Sequence, residues 1–273
     1  MESPAEYPRR PDRGGRRMNF LQQALDFIFT GSNWTGAAGM GARIAEHLQY
    51  TVIAVAASVL IAVPVGLLIG HTGRGTFLVV TGVNALRALP TLGVLLLGVL
   101  LWGLGLVPPT VALMLLGIPP LLAGTYAGIA NVDASVVDAA RSMGMTERRV
   151  LLGVELPNAL PLILGGLRTS TLQIVATATV AAYASLGGLG RYLIDGIKVR
   201  QFHIALVGAL MVTALALILD AALAFAVWLS VPGSGRLGRG LPGRRRMPEP
   251  LLGDEVALES APVPRSRGSS GLG

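Results

Sequence analysis

The sequence predicts an all-α fold, a polytopic membrane bundle of five or at most six transmembrane helices. Of its 273 residues, 52% are hydrophobic and only 14% are charged, and the mean hydropathy is +0.62. A soluble domain carries about 25% charged residues. The apolar residues are gathered in long runs, each near the roughly 20 residues that a membrane helix needs. A chain of this kind is expected to have lipid as its solvent.

Five such runs can be placed along the chain. The predicted spans are residues 48–70, 76–101, 106–130, 158–184 and 204–230. The second span is interrupted by Arg87 and Pro90, and the third contains a Pro-Pro pair at 119–120. Prolines at membrane depth predict kinks, which neighbouring helices can tolerate. The fourth span contains Arg168 and the fifth Asp220.

The distribution of Lys and Arg predicts the orientation in the membrane. With the C-terminus inside and the N-terminus outside, nine basic residues lie near the inner ends and four near the outer ends, as the positive-inside rule favours. Five arginines before Met18 would lie on the outer side and make the balance nine against nine. We therefore expect Met18 to be the natural start, and residues 1–17 to be a disordered or misassigned extension.

The remaining segments complete the predicted organisation. Residues 18–47 contain an amphipathic stretch and are expected to lie in the outer interface. Residues 48–230 form the transmembrane domain, and residues 231–273, rich in Gly, Pro, Ser and Arg, are expected to be a disordered cytoplasmic tail.

Several classes of function are excluded or disfavoured. The chain has no cysteine, and its three histidines, His47, His71 and His203, are too far apart in sequence to form a helical ligand pair, so no metal site is predicted. A P-loop needs Gly-Lys followed by Ser or Thr, whereas Lys198, the single lysine, precedes Val199. The net charge of +7 comes from the termini and short loops, which favours basic membrane-protein ends over a nucleic-acid partner.

The most informative segment is the long polar loop 131–157. Its first part predicts a short helix with an apolar face that includes Ala139 and Ala140. Gly144 can end this helix, and Thr146 can cap a second one. Two short helices at a bend are typical of a docking element. A helix-turn-helix is a weaker alternative, because the adjoining spans leave too little chain for a DNA-binding domain.

The loop resembles the EAA motif of ABC importer permeases. The motif is Glu-Ala-Ala, three residues, Gly, nine residues, Ile, one residue and Leu-Pro, and the corresponding positions here are Asp138, Ala139, Ala140, Gly144, Val154, Leu156 and Pro157. Two departures, Asp for Glu and Val for Ile, are conservative. The resemblance implies the type I (MetI-like) permease fold, with this loop as the coupling helix that docks on a separate ATP-binding subunit.

Further stretches, above all residues 165–197, are similar to the permeases of glycine betaine, choline, carnitine and proline importers. This resemblance covers about residues 48–229. It implies an osmoprotectant importer with two ATP-binding subunits that bind ATP and Mg, a second copy or homologue of the permease, and an extracytoplasmic solute-binding protein. The chain itself is expected to hold no cofactor and to catalyse no covalent chemistry.

Charged and hydroxyl side chains inside the spans are the candidate translocation residues. Arg87, Arg168 and Asp220 lie at similar depths, so Asp220 is expected to pair with Arg168 or Arg87, either as a latch or as a structural polar layer. Hydroxyls of the fourth span, Thr177 and Thr179 among them, could line the path or simply promote close helix packing.

Three alternatives remain open at this stage. The permease could carry another small polar solute such as an amino acid. An ion-coupled secondary transporter would need intramembrane carboxylates, for which Asp220 is the one candidate. A membrane scaffold or receptor would conduct nothing. The spacing of the loop motif argues against the last two.

Overall fold

The computed structural model describes residues 13–230, apart from the side chains of residues 13–19 and 78–80. Within this range all regular structure is helical, which confirms the predicted all-α fold. The α-helices are α1 Arg13–Phe29, α2 Met40–Thr72, α3 Thr76–Ala88, α4 Thr91–Trp102, α5 Val107–Ala130, α6 Ala134–Ser142, α7 Glu147–Val150, α8 Leu156–Thr177, α9 Gly190–Lys198 and α10 Phe202–Ser230. The predictions for residues 1–12 and for 231–273 lie outside the described residues.

Helix α5 is the centre of the bundle and packs between α2 and α8. The approach to α8 is close enough to require glycine on both sides. A Cβ atom at Gly124 would lie 2.8 Å from Cα of Gly166, and one at Gly166 would lie 2.9 Å from the carbonyl oxygen of Pro120. Small residues of this kind let helices in lipid pack backbone against backbone. The proline pair at 119–120 lies inside α5 without ending it.

The predicted second span is not one straight helix. Helices α3 and α4 meet at Leu89 and Pro90 with a bend of 79°, far more than the kink expected from the sequence. Proline disfavours helical backbone at the residue before it and has no N–H to continue the ladder. Leu89 is accordingly extended, with φ −71° and ψ 128°. The pair is therefore a broken span or a re-entrant segment.

The N-terminal boundaries also differ from the prediction. Helix α1 begins at Arg13, inside the expected extension, and α2 begins at Met40, so residues 40–47 are continuous with the helix of the first predicted span. Helix α1 packs on α10 and α2, with Ala24, Met40 and Val207 fully buried together. Phe27 adds an edge-to-face contact with Tyr192 at 6.2 Å between ring centroids.

Among the described residues, four helices are long and apolar enough to cross a membrane, and the bent pair raises the number to five if it is one span. The predicted count of five therefore depends on α3 and α4 acting together. The predicted fourth span also changes character, because α8 ends at Thr177 and residues Ala178–Ala184 continue as a 3-10 helix.

Candidate functional site: the coupling loop and the polar residues of the spans

The loop between α5 and α8 begins with a capped helix. The Asp133 carboxylate accepts a hydrogen bond of 2.8 Å from the backbone N–H of Ser135, at the start of α6. This hydrogen bonding lowers the pKa of Asp133 below its usual value. The ionised cap satisfies a free N–H at the helix start and complements the helix dipole.

Gly144 makes the bend after α6. Its φ is +81°, a left-handed conformation that side chains other than glycine rarely adopt. The Gly144 N–H donates to the carbonyl of Arg141 at 2.9 Å, and the Met145 N–H donates to that of Ala140 at 3.2 Å. These two bonds form a Schellman motif. The bend predicted from the sequence is present, but the expected Thr146 side-chain cap on α7 is absent.

The loop has its own small apolar core. Val137, Ala140 and Val150 are buried against each other, with Val132, Met145 and Val154 packed around them. Ala140 is therefore an internal residue of the loop, although the sequence predicts that it shares one apolar face with Ala139. Ala139 and Asp138 are exposed.

Helix α6 leaves an apolar row uncovered on its outer face. The row consists of Val136, Ala139 and Met143, at helical spacing, and Val136 and Met143 are 45% and 76% exposed. Nothing within the described part of the chain covers this row. An exposed apolar helix face beside a membrane domain is suited to docking against another protein.

Ionic contacts connect the loop to the ends of two spans. The guanidinium of Arg141 donates two hydrogen bonds of 3.0 Å to the Glu147 carboxylate. Glu147 also lies 3.2 Å from Nε2 of His71, whose Nδ1 lies 2.6 Å from Oε2 of Glu155. His71 is in the last turn of α2, and Glu155 immediately precedes α8.

Sequence reasoning missed His71. It considered the histidines only as metal ligands, and no group of three or more metal-ligating side chains occurs in the part of the chain that the structure describes. The usable signal was Glu155, an acidic residue directly before the apolar helix α8, which needs a cationic or donating partner when buried.

The charged residues of the spans separate into a pair and a single arginine. Arg168 on α8 binds Asp220 on α10 through two hydrogen bonds, of which Nη2 to Oδ2 measures 2.7 Å. Of the two partners that the sequence predicts for Asp220, the structure has Arg168. Arg87 instead lines a cleft of about 380 Å³ between α3, α5 and α8.

The hydroxyl residues of α8 divide between packing and exposure. Ser170 is fully buried and donates a 2.8 Å hydrogen bond to the carbonyl of Gly117 on α5. Thr171 is also buried, whereas Thr169 lines the cleft with Arg87. Thr177 and Thr179 are half-buried at the far end of α8, where Thr179 donates to the carbonyl of Ala176 at 3.2 Å. Gln173, which sequence reasoning did not consider, lines the same cleft as Thr169.

Four apolar helices of membrane-spanning length, or five if the bent pair α3 and α4 is one span, place the chain in the class of multi-pass membrane proteins. The family described as the binding-protein-dependent transport system inner membrane component matches residues 62–227. The chain belongs to this family, and it is a multi-pass permease component of an importer.

The chain is similar in sequence to curated permeases over most of their length. The chain is 38% identical to the choline transport system permease protein OpuBB of Bacillus subtilis over 181 residues, which cover 66% of this chain and 83% of that protein. It is 37% identical over 182 residues to the glycine betaine/carnitine/choline permease OpuCB of the same organism, covering 67% and 84%. With the osmoprotectant import permease OsmY of Salmonella typhimurium the identity is 35% over 182 residues, covering 66% and 77%.

Solved structures support the fold. An inward-facing structure of the MetNI methionine ABC transporter matches with a TM-score of 0.61 and 20% identity, covering 68% of this chain and 94% of the matched chain. An amino acid ABC transporter matches with a TM-score of 0.55 and 20% identity, covering 70% and 91%. These likenesses show the MetI-like permease fold alone.

Proposed function

We propose that this chain is the permease subunit of an ATP-driven importer for osmoprotectants, quaternary or cyclic amines such as glycine betaine, choline, carnitine and proline. The relatives named above carry solutes of this class. Their similarity extends over about two thirds of the chain, which supports a shared solute class as well as a shared fold.

The observation that carries the coupling role is the geometry of the loop 131–157. It is a two-helix element held together by its own apolar core and by the Gly144 bend, with an uncovered apolar row on α6. We propose that this row docks in a groove of a cytoplasmic ATP-binding subunit. The His71 contacts would then pass movement of the loop to α2 and α8.

In this proposal, ATP is bound and hydrolysed by partner subunits. The single lysine, Lys198, is followed by Val199, so the sequence lacks the Gly-Lys-Ser/Thr element of a P-loop. Two ATP-binding subunits, a second permease copy or homologue, and an extracytoplasmic binding protein complete the importer. The loop then lies on the cytoplasmic side, with the N-terminus outside and the C-terminus inside.

Nothing in the described residues favours an ion-coupled secondary transporter. That mechanism needs a carboxylate free to exchange an ion, and Asp220 is instead held by both arms of the Arg168 guanidinium. An ABC permease for another small polar solute is the alternative that transport measurements would reveal.

Uptake assays test the proposal. The complete system is expressed in cells that lack their own osmoprotectant transporters, and uptake of labelled glycine betaine, choline, carnitine and proline is measured. We expect uptake of at least one solute with wild type and none with Gly144→Arg, because arginine is strained at a φ of +81° and disrupts the bend. Gly31→Arg is the matched control, since a side chain at Gly31 meets nothing within 4 Å.

The outcomes separate the two parts of the proposal. Uptake that persists with Gly144→Arg, at equal amounts of protein in the membrane, would contradict the coupling role of the loop. If the assembled wild-type complex hydrolyses ATP but moves none of the four solutes, the osmoprotectant assignment is wrong while the ABC permease remains.

A further inference from the structure

The membrane surface of the bundle is apolar on some helices and polar on others. Helices α2, α4 and α10 expose large apolar side chains, such as Leu60, Leu100 and Phe225, as a lipid-facing surface requires. Residues 81–88 of α3 expose only small or polar side chains, among them Thr81, Asn84 and Arg87. Such a surface is expected to face protein or water in place of lipid.

Helix α8 continues this polar surface. Between residues 164 and 177 its exposed residues are Thr169, Gln173 and Ala176, at spacings of four and three. This spacing places them on one side of the helix. The opposite side, with Ser170 and Ile174, is buried against α5. One small and polar face of α8 is thus left open at membrane depth.

The two faces meet at the cleft of about 380 Å³ described above. Its polar side chains are Arg87, Thr169 and Gln173, and its remaining lining consists of Leu86, Leu116, Pro119 and Pro120. Arg87 lies 11 residues into α3, which corresponds to about 16 Å at 1.5 Å per residue. If α3 enters the hydrocarbon layer at Thr76, the cleft lies near the middle of that layer, where a solute pathway must pass.

The charge in the cleft is a single positive one. Arg168 and Asp220 neutralise each other. Among the described residues, no carboxylate oxygen lies within 4.0 Å of the Arg87 guanidinium. An uncompensated charge at this depth is costly unless water or an anionic group matches it. A guanidinium presents two parallel N–H donors that fit a carboxylate.

Resting on the proposed function, we propose that Arg87, assisted by Thr169 and Gln173, is a transient binding site for the carboxylate of the solute during translocation. The site would take zwitterions, which carry a carboxylate beside a quaternary or cyclic amine, and would disfavour choline, a cation with a hydroxyl in place of the carboxylate. No aromatic side chain lines the cleft, so the amine is not held there by a cation–π cage.

The α5 prolines complement this arrangement. Proline at 120 supplies no N–H to the carbonyl of Leu116, four residues earlier in the helix, and both residues line the cleft. A carbonyl that lacks its helical donor needs another partner, such as water, at membrane depth.

The test compares two solutes in one preparation. The complete importer is reconstituted in proteoliposomes, and uptake of labelled glycine betaine and of labelled choline is measured at concentrations that saturate the binding protein, so that the ratio reports the permease. We expect wild type to move glycine betaine faster, Arg87→Gln to lower the glycine betaine to choline ratio at least tenfold, and Arg87→Lys to give an intermediate ratio. Arg74→Gln, an exposed arginine in the turn before α3, is the control and should leave the ratio unchanged.

Three outcomes would overturn the inference. Equal losses for both solutes in Arg87→Gln would mean that the residue serves folding or assembly. An unchanged ratio would mean that Arg87 lies off the path, and a wild-type preference for choline would reverse the predicted selectivity. In each case the osmoprotectant importer stands. ATP hydrolysis without uptake of glycine betaine, choline, carnitine or proline would instead contradict the osmoprotectant assignment, and the ABC permease would remain.

Discussion

His71 and Glu155 join the ends of two apolar helices, α2 and α8, at the base of the loop 131–157. Nδ1 of His71 lies 2.6 Å from Oε2 of Glu155, and both side chains are largely buried, at 13% and 6% exposure. Nε2 on the other side of the ring lies 3.2 Å from the Glu147 carboxylate. The imidazole ring of His71 therefore lies between two carboxyl groups, one on the loop and one at the start of α8.

Replacing His71 by leucine should destabilise the protein, because it leaves the buried Glu155 carboxylate without a donor. Removing one partner of a buried pair costs on the order of 3 kcal/mol. We expect a lower thermal unfolding temperature of the purified complex, and partial recovery in His71→Leu/Glu155→Gln, in which the unpaired charge is also removed. A double variant as unstable as the sum of the single variants would contradict this pairing.

Tryptophan substitutions at two alanines of α6 test whether its exposed row is the docking face. Ala139→Trp places a large ring on the proposed docking face, whereas Ala134→Trp places the same ring about 140° around the helix, on another exposed position. We expect Ala139→Trp to reduce ATP-dependent uptake at least tenfold and to weaken co-purification of the ATP-binding subunit. Ala134→Trp should have a much smaller effect. Equal effects of the two variants would show that this row is not the docking face.

Apolar run length and sequence spacing were enough to predict the helical bundle and the two short helices with a bend between α5 and α8. They could not show which alanine faces outward, because a rotation of α6 by a fraction of a turn exchanges Ala139 and Ala140. The 79° bend at Pro90 also exceeded the expected kink, since proline marks a break but the packing of α4 on α5 sets its angle.

Tertiary contacts between distant residues were the least predictable. The depth of Asp220 allowed either Arg87 or Arg168 as its partner, and the choice depends on how α8 and α10 are rotated towards each other. His71 and Glu155 are 84 residues apart in sequence, so no local pattern connects them. Gln173 was overlooked because hydroxyls, and not amides, were taken as the polar signal of the fourth span.

The ion pair between Arg168 and Asp220 should stabilise the bundle. Asp220→Asn removes the counter-charge of Arg168 at membrane depth, where an unmatched charge is costly, so we expect less folded protein in the membrane. The exchanged variant Arg168→Asp/Asp220→Arg should recover at least half of the loss, and no recovery beyond the single variants would contradict the pairing. Asp195→Asn is a control, since its exposed pair with Arg191 is of a kind that contributes at most about 1 kcal/mol.

The glycines of α8 offer a direct test of helix packing, because two neighbours have opposite surroundings. A Cβ at Gly166 would lie 2.9 Å from the carbonyl oxygen of Pro120 and 3.2 Å from Cα of Gly124, whereas one at Gly165 meets nothing within 4 Å. Backbone atoms of α5 cannot yield as a flexible side chain can, so Gly166→Ala should separate the two helices and lower the unfolding temperature. Gly165→Ala should be neutral or slightly stabilising, because alanine favours helix over glycine by about 1 kcal/mol. Thermal unfolding of both variants in the same detergent measures the difference. A Gly166→Ala protein as stable as Gly165→Ala would show that α5 and α8 leave room for a Cβ between them.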